Sequence, residues 1–441
     1  MKYDKFFDLA KAAGIEECEI SVTSSYSLSF SLFHGEIDSY ETNSSSFFMA
    51  RGIYKGKMGA VTSDVYTKDS PKLFVDAIIK NASVIESDEP VFIFKGSEKY
   101  KKVNTFNRDL EKISVDEKLK KLYQLEDLIR KADKRITEVQ TVGYQEASSS
   151  STIMNSHGLK LSQKNNDYAY YGGAVAKDGD QVKTGFDIFL SNDFSKVDIE
   201  KLAKSIVEET VSQLGGEACD SATYKAVLAP EVISAFMGAY IGSAIAEDVQ
   251  KNSSLFVGKL HEKVASNKVT IECRPVERTL FARWFDDEGV ATKNFPIIKN
   301  GTLETYLYNL TTAAKDGVES TGNGAVGGGS KVYTSPWFTV MKPGKKTQEE
   351  LFKEVDNGVY ITEVSGLHSG LNPRSGNFSL QSTGFMIENG KLTHPLDIIT
   401  VNGNLVDLFK SINAVGSDSK EFLSARRCPS VMVKKLNVSG K

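Results

Sequence analysis

The sequence predicts an α+β protein: a duplicated α+β front half, then a back half rich in antiparallel sheet with packed helices. Three observations carry this expectation. Segments 25–64 and 148–187 align without a gap at an offset of 123 residues. The stretch Gly215-Gly216-Glu217-Ala218 then marks a boundary where the pattern changes. Beyond it, Asn-Gly pairs punctuate short runs, and Asn-Gly is the strongest short-range hairpin signal.

In chain order, a first helix is expected over 3–13, ahead of the first repeat copy. In the alignment Ser25/Ser148, Ser27/Ser150, His34/His157, Gly35/Gly158, Ser39/Ser162, Asn43/Asn166, Gly56/Gly179 and Asp64/Asp187 coincide. The His-Gly pairs and later glycines fall where turns are expected, with extended alternating segments between them. Lys55-Gly56-Lys57 and Asp178-Gly179-Asp180 read as hairpin turns, because glycine tolerates positive φ. A helix over 71–85 follows the first copy, and Pro71 suits its first turn. The second copy lies between helices over 115–132 and 197–214; Leu119, Leu122, Leu125 and Ile129 of the former recur at helical spacing. The front domain is therefore read as 1–217, with repeats of about 1–90 and 115–217.

The back domain, 218–441, opens with one apolar helix over 230–249. Its uncharged stretch, 232–246, is fifteen residues long. A membrane span needs about 20, so this reads as a buried helix and not a membrane span. Hairpin turns are expected at Asn300-Gly301, Asn357-Gly358, Asn389-Gly390 and Asn402-Gly403.

Composition narrows the class. The chain has 441 residues, 40% apolar and 25% charged, which are globular values. A net charge of −3 gives no electrostatic pull toward nucleic acid, which needs clustered Lys and Arg. The start is charged and lacks the apolar core of a signal peptide. Cys18, Cys219, Cys273 and Cys428 stand far apart, with no Cys-x-x-Cys pair. Free thiols at such spacing suit a reducing, cytoplasmic compartment.

Several segments carry a family resemblance. They are Phe285-Asp286-Asp287-Glu288-Gly289-Val290, Ile298-Lys299-Asn300-Gly301-Thr302-Leu303 and Ser320-Thr321-Gly322-Asn323-Gly324. Gly376-Asn377-Phe378-Ser379, Ile387-Glu388-Asn389-Gly390-Lys391 and Val415-Gly416-Ser417-Asp418 follow. In order and spacing the sequence resembles the TldD/PmbA family, also called the modulator of DNA gyrase family. In the catalytic type of subunit, a His-Glu-x-x-x-His motif on the helix at 230–249 and a distant cysteine hold zinc. Here the motif positions carry Gly238, Ala239 and Ser243, and Cys428 matches the cysteine. The resemblance therefore implies the PmbA/TldE type, without catalytic residues, metal or cofactor of its own. It implies a TldD-like partner that carries zinc in a heterodimer, a homodimer in isolation as an alternative, and unfolded peptide as substrate. It implies neither nucleic acid nor membrane as partner. Gly322, Asn323, Gly324, Asn377 and Phe378 are its candidates for lining a peptide cavity. Two rival readings are an autonomous peptidase with an unrecognised site and a regulator of gyrase-related processes.

The chemistry of each position supports the vacated motif. Zinc needs imidazole, thiolate or carboxylate ligands, and Gly238, Ala239 and Ser243 offer none of these. Two ligands five residues apart lie roughly 140° apart on a helix of ~3.6 residues per turn, so the family's helix must distort there. A single cysteine makes no zinc site, and a buried, inert thiol is the expectation for Cys428. His261-Glu262 matches no zinc spacing and reads as a solvated pair. Asp286-Asp287-Glu288-Gly289 could hold a hard cation but reads better as a hairpin corner. The run from Gly322 to Lys331 lacks the Gly-Lys-Ser/Thr order of a phosphate loop and reads as a flexible or substrate-lining loop.

Overall fold

The computed structural model describes residues 3–87, 89–327 and 331–441. The first repeat copy runs α1 (Asp4–Ala12), β1 (Glu17–Phe33), β2 (Glu36–Tyr54), β3 (Lys57–Ser63) and α2 (Ser70–Ala82). The second runs α3 (Val115–Ala132), β4 (Ile136–Asn155), β5 (Lys160–Asp178), β6 (Gln181–Ser191) and α4 (Ile199–Ser212). Caps explain several helix starts. Ser114 accepts from the Glu117 amide and Asp198 from that of Lys201, and Pro71 sits in the first turn of α2.

All six strands form one antiparallel sheet in the order β3-β2-β1-β4-β5-β6. Each copy is a meander, and β1 pairs antiparallel with β4, Ser24 with Ser150 and Ser27 with Ala147, two pairs that the 123-residue offset exchanges, since it makes Ser24 equivalent to Ala147 and Ser27 to Ser150. The copies are thus related by a pseudo-two-fold axis through the centre of the sheet. Gly56 and Gly179 occupy the corresponding β2–β3 and β5–β6 turns, both at positive φ. Two apolar clusters form, one where α1 and α2 cover the first copy and one where α3 and α4 cover the second.

The back half continues with β7 (Ala222–Leu228), α5 (Pro230–Gly242), α6 (Ala246–Gln250), β8 (Ile271–Cys273), β9 (Phe295–Lys299) and β10 (Thr302–Leu303). Next come α7 (Leu310–Asp316), β11 (Gly324–Val326), β12 (Val332–Thr334), β13 (Thr339–Met341), α8 (Gln348–Val355) and β14 (Gly358–Ser365). The chain ends with α9 (Leu367–Gly370), β15 (Asn377–Glu388), β16 (Lys391–Asn404), α10 (Leu405–Ser411), β17 (Ile412–Phe422) and β18 (Arg426–Ser439). Its large sheet is mixed. Antiparallel pairs dominate, while β7–β14 and β13–β18 are parallel. Strands β7, β14, β15, β16 and β18 close on themselves, because β18 pairs with both β16 and β7. Helix α5 packs against β18 and β14, in the largest apolar cluster of the molecule.

Two local expectations need correction. The helix expected over 230–249 is two helices, α5 and α6, with Ser243, Ala244 and Ile245 between them. The Ser243 amide turns back to the Tyr240 carbonyl, and the Leu307 amide then takes the Ala244 carbonyl at 2.7 Å. This strand-like pairing with residue 307 replaces the missing helical bonds. Asn357-Gly358 and Asn402-Gly403 are not hairpin turns. Gly358 opens β14 and Gly403 lies within β16. Both are glycines for close approach: a Cβ would meet the Lys225 carbonyl at 2.2 Å and the Phe378 ring at 3.0 Å, respectively. Among the described residues, no helix is long and apolar enough to cross a membrane.

Candidate functional site

Helix α5 begins after Ala229, held extended, with Pro230 in the first turn. Val232, Ile233, Phe236, Met237, Tyr240 and Ile241 are buried. Phe236 packs on Phe378 with ring centroids 4.9 Å apart, and Tyr240 stacks on Phe409 at 4.1 Å. The Tyr240 hydroxyl donates to the Val264 carbonyl. The opposite, half-buried face carries Ala235, Gly238, Ala239 and Gly242. Ser243 caps the helix and is buried.

Strand β18 meets this turn of the helix. The Cys428 sulfur lies 3.9 Å from the Met237 sulfur, and the Arg426 guanidinium lies over Gly238. A Cβ at Gly238 would stand 2.4 Å from the Arg426 Cζ. Arg426 Nη1 donates to the Ser234 carbonyl at 3.3 Å. Burial pushes the Cys428 thiol up to about 12, against the opposing pull of Arg426. It is an inert thiol at neutral pH.

Gly238, Ala239, Ser243 and Cys428 do not fit zinc. The one thiol is protonated and turned to a thioether, no imidazole stands beside it, and a cationic guanidinium fills the space over Gly238. Among the described residues, no group of three or more His, Cys, Asp or Glu could hold a metal ion.

The proposed cavity residues do not assemble into one site. Asn377 and Phe378 line a cleft of about 560 Å³ with Ser369, Gly370, Leu371 and Arg374. Asn323, in contrast, is fully buried; its amide donates to the Ser335 carbonyl at 2.7 Å and approaches the Cys273 sulfur at 3.9 Å. Gly324 is pressed against Glu288, and Gly322 against the backbone of Ala291. The segment 322–324 is thus packed support for the acidic turn. Residues 328–330 of the Gly-rich run lie outside the described residues.

The acidic turn holds what sequence reasoning missed. It is a tight corner, with Asp286 accepting the Val290 amide and Gly289 at positive φ. Yet its carboxylates are inside: Asp286 is 0% and Glu288 3% exposed. Asp286 also accepts the amides of Glu288 and Gly324, and Glu288 accepts that of Leu310. From the front sheet, Arg51 reaches Glu288 at 4.0 Å while binding Glu19 at 2.8 Å. Burial raises the pKa of Asp286, Glu288 and Glu19, with Arg51 pulling back on Glu288 and Glu19. Asp287 pairs outward with Arg283. The cluster joins the two halves of the chain. His261 and Glu262 are exposed.

Residues 18–82 match the PmbA/TldA metallopeptidase domain 1, 108–214 the central domain and 221–440 the C-terminal domain. A metalloprotease PmbA homologue from Buchnera aphidicola is 27% identical over 432 residues, covering 96% of this chain and 93% of the relative. Metalloprotease PmbA of Escherichia coli O157:H7 is 24% identical, covering 96% and 92%. A Thermotoga maritima structure, described provisionally as a modulator of a DNA gyrase, superposes with a TM-score of 0.92 at 33% identity over 99% of each chain. TldE of Thermococcus kodakarensis superposes with a TM-score of 0.91 at 23% identity over 100% of each, a likeness of fold.

Proposed function

The chain belongs to the PmbA/TldD metallopeptidase family, and on that premise we propose that it is the non-catalytic subunit of a zinc peptidase pair. Its partner is a TldD-like chain that holds the metal and cleaves unfolded peptides in the cytoplasm. This chain completes the assembly and helps present extended peptide to the partner. One observation carries the reading: where a peptidase needs imidazoles around a metal-bound water, this chain has Gly238, covered by the Arg426 side chain, with Ala239 and Ser243.

The net charge of −3 gives the rival reading, direct action on DNA, no electrostatic basis. The test is a pull-down of the TldD-like chain by this one, followed by peptide cleavage with each chain alone and with both. Co-purification and cleavage by the pair, abolished by removing zinc from the partner, is the expected result. A chain that ignores the TldD-like protein and remains monomeric would overturn the proposal.

A further inference from the structure

The acidic turn at 286–290 is pressed against the front half of the chain. A Cβ at Gly289 would stand 2.7 Å from the Leu159 side chain, in the β4–β5 turn. The Tyr100 hydroxyl donates to the Gly289 carbonyl at 2.8 Å, and the Ala291 amide donates to the Ser97 hydroxyl at 2.9 Å. Glu19 of β1 and Arg51 of β2 close the joint from the front sheet.

Charge does not balance in this joint. Glu19, Asp286 and Glu288 are buried carboxyls, and among the described residues Arg51 is the one cation that reaches any of them. Its Nε binds Glu19 at 2.8 Å, while its Nη1 stands 4.0 Å from Glu288, beyond hydrogen-bond reach. Glu19 Oε2 and Arg51 Nη2 are buried without a hydrogen-bond partner. Asp286 has backbone amides alone: Glu288 and Val290 donate to one oxygen and Gly324 to the other. Glu288 faces Glu19 from β1, Arg51 from β2, and Asp286 and Asp287 from its own turn, Asp287 being paired with Arg283. Beside it α7 offers the Leu310 amide and β11 offers Gly324, neither of them charged. One guanidinium cannot neutralise three carboxylates, and an unpaired buried charge costs more than a protonated carboxyl. Burial raises the pKa of Glu288, against the pull of Arg51, and Glu19 and Asp287 raise it further.

We propose that this joint is a proton-held latch: Asp286 and Glu288 share one proton while the turn is docked on the front sheet, and loss of that proton to solvent undocks the turn. The proton belongs to the pair and not to either residue. Docking is then fully stable below the ordinary carboxylate range. It weakens as pH rises toward the raised value of the pair and levels off above it. The latch is independent of the peptidase reading above.

The test is amide hydrogen exchange of the full-length chain across pH, read by mass spectrometry and corrected for the intrinsic base-catalysed rate. The segment 286–291 carries amides that the joint protects. Its opening constant should rise about tenfold per pH unit while one proton is released, and then reach a plateau. Amides of β15 and β16, which report on unfolding of the back half, should open far less often at every pH. Glu288→Gln leaves a single carboxyl in the turn and should flatten the rise. Glu19→Gln frees Arg51 for Glu288 and should weaken the rise independently. The profile of the parent chain decides the matter even where a variant fails to fold. A pH-independent opening constant, joint amides that open only together with β15, or an unchanged slope in either folded variant would overturn the proposal.

Discussion

At the scale of single residues, the lack of metal-ligand types at Gly238, Ala239 and Ser243 was legible, because glycine, alanine and serine cannot stand in for imidazoles. What replaces them was not. Arg426 was visible in the sequence only as a neighbour of Cys428; the two-residue period of β18, which places both on the α5 side, becomes readable once the strand is known. This occupancy yields a prediction. Gly238→His with Ala239→Glu and Ser243→His will not bind zinc tightly, because the new side chain at 238 meets the guanidinium and the cation repels the metal. Adding Arg426→Ala should raise zinc affinity, read as metal bound per chain after dialysis. Equal zinc uptake with and without Arg426 would contradict the account. The buried acids make a second prediction. A folded-state carboxylate pKa raised by burial, as for Glu288, gives stability that is present below the ordinary carboxylate range. That stability is lost as pH rises through the raised value. Glu288→Gln, which cannot ionise, should therefore gain thermal stability relative to the parent chain as pH rises from about 4, and melting curves across pH check the slope.

At the scale of elements, glycine after asparagine marked the turns at Asn300-Gly301 and Asn389-Gly390 and misled elsewhere. Asn300 and Asn389 take positive φ in true β-turns, whereas Gly358 and Gly403 serve close packing that only the folded neighbours reveal. The break after Gly242 was invisible in composition because the uncharged run continues to Ala246; its cause is the pairing with Leu307, some 60 residues away. Edge strand β3 shows the same use of glycine. A Cβ at Gly59 would fall 1.9 Å from the Ile78 carbonyl of α2, so α2 can lie this close only over a glycine. Gly59→Ala should force the helix off the sheet and cost about 1–3 kcal/mol or more, measured by denaturant unfolding. A neutral result would mean that α2 is held loosely.

At the scale of the whole molecule, the gap-free offset in the sequence corresponds to a pseudo-two-fold sheet; local turn signals were enough to see the duplication, but not that β1 and β4 join the copies into one sheet. The ring closed by β18 on β7 was not legible, since it joins residues about 200 apart and carries no local signature. Nor was the joint in which Arg51 of the front half meets Glu288 of the back half, because a sequence does not show that a charged turn is buried. The resulting architecture keeps the family's three domains, and the function proposed above gives this chain no metal chemistry of its own. The most direct test is zinc content, by mass spectrometry, and peptide cleavage on the purified full-length chain, with and without the TldD-like protein. The account predicts zinc well below one per chain, no cleavage alone, and chelator-sensitive cleavage when the partner is added. One tightly held zinc per chain with chelator-sensitive cleavage by this chain alone would contradict it.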